Sequence, residues 1–271
     1  MTIKTFQDFY QKYQLKAFDD WQKANTQQPI RPFRADKHKK LSFGILPGYR
    51  NYDLFYERYR SGVEIIQASG ILKDGVKILD IGSGEAFFKF FFDAMCPEKI
   101  DWHGVEVWKE RAEFCRHIGY TIVEETLEKG KLSYESATFD VILASHVLEH
   151  LPNPKAIIAE KGRVLKKGGI LLIGTPTKPP FIADLDSLYH RMSNRNTGDT
   201  QQAFTHKSLE KLILTAMDLP KTNVINKRGF RIISGRKKLP LENWQWFYDL
   251  SVFLGKHLLT VVPEVNIILR K

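Results

Sequence analysis

Cysteine is scarce in this sequence, with only Cys96 and Cys115 among 271 residues. Two cysteines cannot form a disulfide framework or supply a cysteine-based zinc site, so no structural metal is expected. Low cysteine usage is typical of a reducing compartment, and the expected location is therefore the cytoplasm.

Long apolar runs are also missing. No stretch reaches the roughly 18 uninterrupted apolar residues of a membrane-spanning helix, so no transmembrane segment is expected. The first 18 residues, MTIKTFQDFYQKYQLKAF, lack the continuous apolar core of a signal peptide.

Positive charge, in contrast, is in excess, with a net charge of +10. It is spread along the chain, with small concentrations at residues 34–40, 227–231 and 236–238. Basic proteins attract phosphates, nucleic acids and other anions. A solvated basic surface and an anionic substrate both fit this pattern.

A strand, a turn containing Gly82 and Gly84, and a helix over residues 87–95 are predicted in succession near residue 80. Glycine lets the backbone approach a ligand closely, and the start of a helix offers free N–H groups. A dinucleotide loop would read G-x-G-x-x-G, whereas here the order is Asp80-x-Gly82-x-Gly84-x-Ala86. A turn that binds nothing fits this pattern too, so the assignment depends on the segments that follow.

The next predicted strand covers residues 100–107 and carries Glu106 near its end, 24 positions after Gly82. A carboxylate at the tip of the second parallel strand can accept hydrogen bonds from both hydroxyls of a ribose. An ordinary exposed glutamate is the alternative, and the glycine turn upstream favours the ribose role. A third strand is predicted at residues 120–123. Thr126 or Leu127, just beyond it, could then contact an adenine ring, and the sequence does not choose between them.

The segment FDVILASHVLEHLPNP, residues 139–154, is predicted to be a strand followed by a loop. A helix over residues 155–165, a Gly-Gly turn and a strand over residues 170–174 follow. This segment closely resembles the signature of the type 11 and ubiquinone-biosynthesis-like class I S-adenosylmethionine-dependent methyltransferases. The glycine turn resembles motif I of the same class, D/E-x-G-x-G-x-G, with Ala86 at the third glycine. The resemblance covers residues 70–176, with a weaker match at 204–212.

The resemblance implies an α/β fold, namely a Rossmann-like, doubly wound, mostly parallel seven-stranded sheet. It is accompanied by a helical N-terminal extension or lid over residues 1–60 and a methyltransferase domain over residues 61–271. A helical insertion is predicted at about residues 240–260, before the last strand. Its aromatic side chains could form core, line an acceptor site or touch a lipid surface.

The resemblance also implies S-adenosyl-L-methionine as the cofactor. Its expected contacts are Asp80, Gly82, Ser83, Gly84, Glu106, Val107, Thr126, Leu127, Ser145 and His146. The first four would hold the methionine end, and Ser145 and His146 would lie near the sulfonium. A hydroxyl acceptor must lose a proton during attack, and histidine suits this role at neutral pH. His146 and His206 are the catalytic candidates.

The predicted reaction is methyl transfer, at oxygen, to a small-molecule or glycan-linked acceptor that is anionic. Arg191 and Arg195 either bind such an anion or are exposed loop charges. The fourth strand is followed neither by an Asn/Asp-Pro-Pro-Tyr/Phe motif nor by cysteine, which argues against DNA adenine and cytosine methylation. An RNA methyltransferase and a non-catalytic binding protein that keeps the fold remain alternatives, and the oligomeric state is left open.

Overall fold

The computed structural model describes residues 51–84, 86–180, 202–232, 241 and 244–271. The predicted extension before residue 51 and the loop that carries Arg191 and Arg195 lie outside this part. The first described element is helix α1, Asn51–Ala68. It runs continuously through residue 60, where a domain boundary is predicted, and that division of the chain remains a prediction.

Seven strands form one sheet in the order β3-β2-β1-β4-β5-β7-β6. All neighbouring pairs are parallel except β7, which runs antiparallel to both β5 and β6. The strand bounds are β1 Val76–Ile81, β2 Ile100–Val105, β3 Thr121–Val123, β4 Phe139–Ser145, β5 Leu165–Pro176, β6 Val224–Gly229 and β7 Glu264–Arg270. The predicted Rossmann-like, mostly parallel seven-stranded sheet is confirmed.

Helices cover both faces of this sheet. Their bounds are α2 Phe87–Met95, α3 Lys109–His117, α4 Pro154–Val164, α5 His206–Met217 and α6 Gln245–His257. Side chains of α1, α2 and α3 share one hydrophobic cluster with alternate residues of the central strands. Side chains of α4 and α5 share a second cluster with the intervening residues. The central strands are therefore buried on both sides, which explains why they read as continuous apolar runs.

Five phenylalanines of α2 are buried, and their apolar contacts hold this helix against the sheet. Capping residues in the local sequence explain where α4 and α5 begin. Asn153 caps α4 by accepting the Ala156 N–H, with proline at the first helical position. Thr205 and Ser208 form a capping box at the start of α5.

The predicted start of the fifth strand, at residue 170 after a Gly-Gly turn, is wrong. β5 already begins at Leu165 and includes both glycines. The pairing with β4 shifts between Phe139 and Val141, so the extra residues are accommodated as an irregularity inside the strand. Gly168 takes φ +78°, a conformation that glycine adopts without steric cost.

The predicted insertion before the last strand contains α6. Its aromatic residues are not core: Trp246 and Phe253 are 62% and 58% exposed. In the described ranges, no helix is both long and apolar enough to cross a bilayer.

Candidate functional site

The glycine corner after β1 is built from two residues with left-handed backbone. Gly82 has φ +69° and Gly84 has φ +52°. The Gly82 N–H donates to the Val105 carbonyl at 2.8 Å, which fastens the corner to the end of β2. The Ser83 hydroxyl donates to the Asp80 carbonyl at 2.8 Å, so the turn is closed from inside.

Ala86, at the third glycine position of the motif, also takes a left-handed conformation, with φ 57°. It is fully buried and precedes α2 without a side-chain cap. The backbone here therefore keeps the conformation that glycine favours, and alanine adopts it at some steric cost. The departure from the motif changes the side chain and leaves the path of the turn intact.

Gly82 is expected to tolerate alanine poorly, for two separable reasons. A Cβ at this position would lie 2.7 Å from Val147 Cγ2, and φ is positive. Gly70 offers a matched control, because its φ is +71° and a Cβ there meets nothing within 4 Å. We expect Gly70→Ala to cost about 1 kcal/mol of unfolding free energy from backbone strain alone. Gly82→Ala should cost about 1–3 kcal/mol more, because of the added clash. Urea denaturation of both variants measures the difference, and equal losses would contradict the role of Val147.

Glu106 follows β2, and its side chain lies directly against the glycine corner. Oε2 accepts the Gly84 N–H at 2.8 Å, and Oε1 accepts the Trp108 N–H at 3.0 Å. The residue is 3% exposed. Within the described part of the chain, its hydrogen-bond partners are backbone amides rather than a cation. An ionised carboxylate has about four acceptor positions, so about two remain for the hydroxyls of a ribose.

Asp80, in the second-last position of β1, is a buried acid. It is 4% exposed, and its Oδ2 accepts the Tyr120 hydroxyl at 3.2 Å. Burial raises its pKa to about 8; the Tyr120 hydrogen bond opposes this shift, and the nearby Glu106 adds to it. A cationic ligand beside this acid would favour its ionised form.

The predicted cofactor contacts after Glu106, namely Val107, Thr126 and Leu127, have different surroundings. Val107 and its neighbour Trp108 are 60% and 61% exposed. Thr126 accepts the Glu128 N–H and so caps the short 3₁₀ helix Leu127–Lys129. Leu127 packs partly against the second hydrophobic cluster. Their ligand contacts remain predictions.

Ser145 ends β4, beside the row Gly174 and Asn266 of the neighbouring strands. A Cβ on Gly174 would lie 2.3 Å from Asn266 Oδ1 and 3.2 Å from Ser145 Oγ, so this row requires glycine. Neither of those two buried oxygens has a hydrogen-bond partner within the described ranges. The carboxyl ends of β4 and β5 therefore hold two polar atoms with unused capacity.

His146, the next residue, is held between two buried carboxylates. Its Nε2 lies 2.9 Å from Glu264 Oε1, and its Nδ1 lies 3.3 Å from Glu149 Oε1. Glu264 also pairs with Arg58 of α1, at 2.6 Å between Oε2 and Nη2. Glu149 accepts the Thr175 hydroxyl at 2.9 Å. We call Arg58, Glu264, His146 and Glu149 the charged cluster.

His206, the other predicted catalytic residue, lies near Lys227 of β6 and Glu210 of α5. It begins α5, and burial lowers its pKa, as do Lys227 and Lys207, while Glu210 opposes them. Lys227 in turn donates to Glu210 at 2.9 Å. No contact of His206 with Glu106 or His146 is observed in the described residues, and its catalytic role remains a prediction.

Sequence reasoning missed Arg58, Glu149 and Glu264 as members of the site. Glu149 lies inside the segment that carries the family resemblance, so its position was a usable signal. Arg58 and Glu264 are 206 residues apart, and nothing local marks either of them.

The corner and the charged cluster are both at the carboxyl edge of the parallel strands, because β7 enters the sheet antiparallel and begins at Glu264. Ligands of doubly wound sheets bind at this edge. The buried acceptor Glu106 and the buried acid Asp80, both beside the glycine corner, fit a nucleoside that carries positive charge. That chemistry agrees with S-adenosyl-L-methionine.

In a comparison with known families, residues 79–173 match the type 11 methyltransferase family, which is described as a methyltransferase domain. The matched segment runs from β1 into β5 and includes Glu106, Ser145 and His146. It therefore contains all ten predicted cofactor contacts.

Comparison with curated proteins gives distant relatives. A ubiquinone biosynthesis O-methyltransferase of Psychrobacter arcticus is 26% identical over 153 residues, which cover 52% of this chain and 58% of that protein. An uncharacterized protein of Methanocaldococcus jannaschii is 33% identical over 136 residues, which cover 48% of this chain and 62% of that protein. The chain thus spans less than two thirds of the length of either relative.

Comparison with solved structures supports the fold. A putative sarcosine dimethylglycine methyltransferase from Galdieria sulphuraria superposes with a TM-score of 0.54 at 13% identity, covering 82% of this chain and 87% of that one. A putative methyltransferase from Bacillus halodurans superposes with a TM-score of 0.50 at 16% identity, covering 78% and 98%. At such identities the likeness concerns the architecture alone.

Proposed function

Because this chain carries a class I methyltransferase domain of the type 11 family, we propose that it transfers a methyl group to a small-molecule or glycan-linked acceptor. The family and the fold imply S-adenosyl-L-methionine as the cofactor. The observation that carries the proposal is the 2.8 Å contact between Glu106 and the Gly84 amide. It supports the proposal because it joins the glycine backbone to the carboxylate that we propose binds the ribose.

The cofactor supplies a methyl group already activated on a sulfonium, so the protein mainly has to position the reactants. Gly82, Ser83 and Gly84 would lie along the methionine end, and Asp80 would face its positive charge. Glu106 would accept the ribose hydroxyls. Val107, Thr126 and Leu127 would border the adenine.

We propose that the acceptor enters at the carboxyl ends of β4 and β5, under α1. Ser145 and Asn266 offer buried oxygen atoms there, and such atoms suit a hydroxyl group of the acceptor. Methylation at oxygen is also supported by relatives that are O-methyltransferases by name. The net charge of +10 favours an anionic acceptor.

An anionic acceptor would also remove the need for a general base. The His146 ring has no free nitrogen in this arrangement. An acceptor oxygen that is already ionised at neutral pH, such as a carboxylate, needs no base. The charge of the protein and the engaged state of His146 therefore favour the same class of acceptor.

Titration calorimetry of the full chain with S-adenosyl-L-methionine is the direct test. We expect saturable binding at micromolar to millimolar cofactor, followed by methyl transfer to members of a panel of carboxylate and hydroxyl acceptors. Absence of binding at millimolar cofactor would reject the enzyme assignment. Binding without turnover across the panel would favour a non-catalytic protein. Strong RNA affinity that falls steeply with salt would instead support an RNA acceptor.

A further inference from the structure

We propose that His146 is a protonated positioning residue, which ties the end of β4 to β7 and to α1, and that it does not act as the general base. The inference concerns the acceptor side of the site proposed above and rests on that function only for its catalytic consequence. The geometry that supports it can be tested without turnover.

Both ring nitrogens of His146 face carboxylate oxygens. Nε2 lies 2.9 Å from Glu264, and Nδ1 lies 3.3 Å from Glu149. A neutral imidazole has one donor and one acceptor nitrogen, and an acceptor nitrogen would face a carboxylate lone pair unfavourably. Only the imidazolium donates on both sides. In this state the ring has no lone pair with which to take a proton from a substrate.

Protonation of His146 supplies positive charge to the two buried carboxylates that its ring contacts. Arg58 from α1 and Glu264 from β7 pair with each other, and Glu149 faces His146. Lys161 from α4 and His150 also face Glu149, and burial lowers the pKa of Lys161 to about 7. A neutral His146 would remove one positive charge from beside two buried carboxylates, which is costly at low dielectric.

The pKa directions agree with this balance. Burial and Arg58 lower the pKa of His146, but Glu264 and Glu149 outweigh them and raise it above its ordinary value. Burial raises the pKa of Glu264, whereas Arg58 and His146 lower it to about 2.

The backbone conformation of His146 also indicates that the surrounding structure holds this residue in place. His146 has φ 56°, although it is not glycine, and its N–H donates to the Gly174 carbonyl at 2.8 Å. Strained residues of this kind persist where the surrounding structure holds them, and they cluster at functional sites. Here the strain turns the chain at the end of β4 and directs the ring toward Glu264.

The cluster also connects to the cofactor corner. Arg58 is followed in α1 by Tyr59, whose ring stacks on Phe87 at 5.1 Å. Phe87 begins α2, directly after the glycine corner. The position of α1 over the site therefore depends in part on the Arg58–Glu264 pair, which His146 completes.

The first experiment is a ¹H–¹⁵N spectrum of the imidazole side chains of the full chain at pH 7.5, with His146→Gln used for assignment. We expect both nitrogens of His146 to be protonated. A neutral tautomer at this pH would overturn the proposal. The result does not depend on methyl transfer, so it stays interpretable if no acceptor is found or the cofactor does not bind.

The second experiment measures Tm from pH 6 to pH 10 for the wild type, His146→Gln and the neighbouring control His150→Gln. At pH 6 we expect His146→Gln to lose roughly 5–10 °C. Because the stabilising form of His146 is the protonated one, its contribution is complete below about pH 6.5 and is lost as pH rises through the raised folded pKa. The Tm gap should therefore shrink with pH. A gap that is constant or widening would indicate a packing role for a neutral ring and would overturn the proposal. The control should show a smaller gap, and a gap at His150→Gln equal to that at His146→Gln would also count against it.

Discussion

Replacing Glu106 by glutamine is expected to weaken binding of S-adenosyl-L-methionine by roughly 100-fold. Hydrogen bonds to a charged group contribute about 1.5–3 kcal/mol each, and two ribose hydroxyls would lose this partner. The amide NH₂ of glutamine would also face either the Gly84 N–H or the Trp108 N–H, because each oxygen of Glu106 accepts one of them, so one acceptor atom is lost outright. Titration calorimetry measures the change directly.

Glu124→Gln is the matched control for this substitution. Glu124 follows the adjacent strand β3 and pairs with Arg116 at the surface. Exposed pairs contribute about 0–1 kcal/mol, so this variant should bind the cofactor nearly as the wild type does. Equal affinities for Glu106→Gln and the wild type would remove Glu106 from the site and, with it, the observation on which the proposed function depends.

Asp80→Asn is expected to stabilise the free protein while it weakens cofactor binding. The folded-state pKa of Asp80, about 8, lies above its ordinary value of 3.8. For an acid with a raised folded pKa, the folded state binds more protons than the unfolded state between these values. Stability from this group is therefore complete below about pH 4 and is lost as pH rises toward 8. Removing the ionisable group should raise the unfolding free energy at pH 7 by on the order of 4 kcal/mol.

Cofactor binding should respond in the opposite direction. A cationic ligand favours ionised Asp80, so binding by the wild type should release a proton and tighten as pH rises from 6 to 9. Asp80→Asn should abolish this trend. Its loss of affinity relative to the wild type should therefore be larger at pH 9 than at pH 6. Calorimetry in buffers of different ionisation enthalpy counts the released proton. Identical pH profiles for the two proteins would contradict the role of Asp80.

Asp140→Asn provides a control of opposite sign. Burial raises the pKa of Asp140, but the Lys77 N–H and Lys166 outweigh it, so the net pKa is lowered. A lowered pKa means that the ionised acid stabilises the fold at neutral pH, and this variant should lose stability rather than gain it. Comparing Asp80→Asn with Asp140→Asn therefore separates the general effect of removing an acid from the effect of the burial of Asp80.

The cofactor side of the proposed site could be predicted from the sequence because its residues are linked by local chain geometry. Asp80, Gly82 and Gly84 are neighbours in the chain, and a turn between a buried strand and a helix allows few backbone paths. Glu106 could be added because a parallel strand that follows one helix returns to the adjacent position in the sheet. Local pattern and this connection rule together define the cofactor side of the site.

Sequence, through its family resemblance, therefore predicted a mostly parallel seven-stranded sheet around a glycine corner, and it identified the segment that carries Ser145, His146 and Glu149. Only the tertiary structure decided which groups His146 contacts, because its partner Glu264 is 118 residues away. Nothing in the local sequence of either residue encodes that pairing. It arises because β7 enters the sheet in reverse beside β5, which brings the start of the last strand to the same edge as the end of β4.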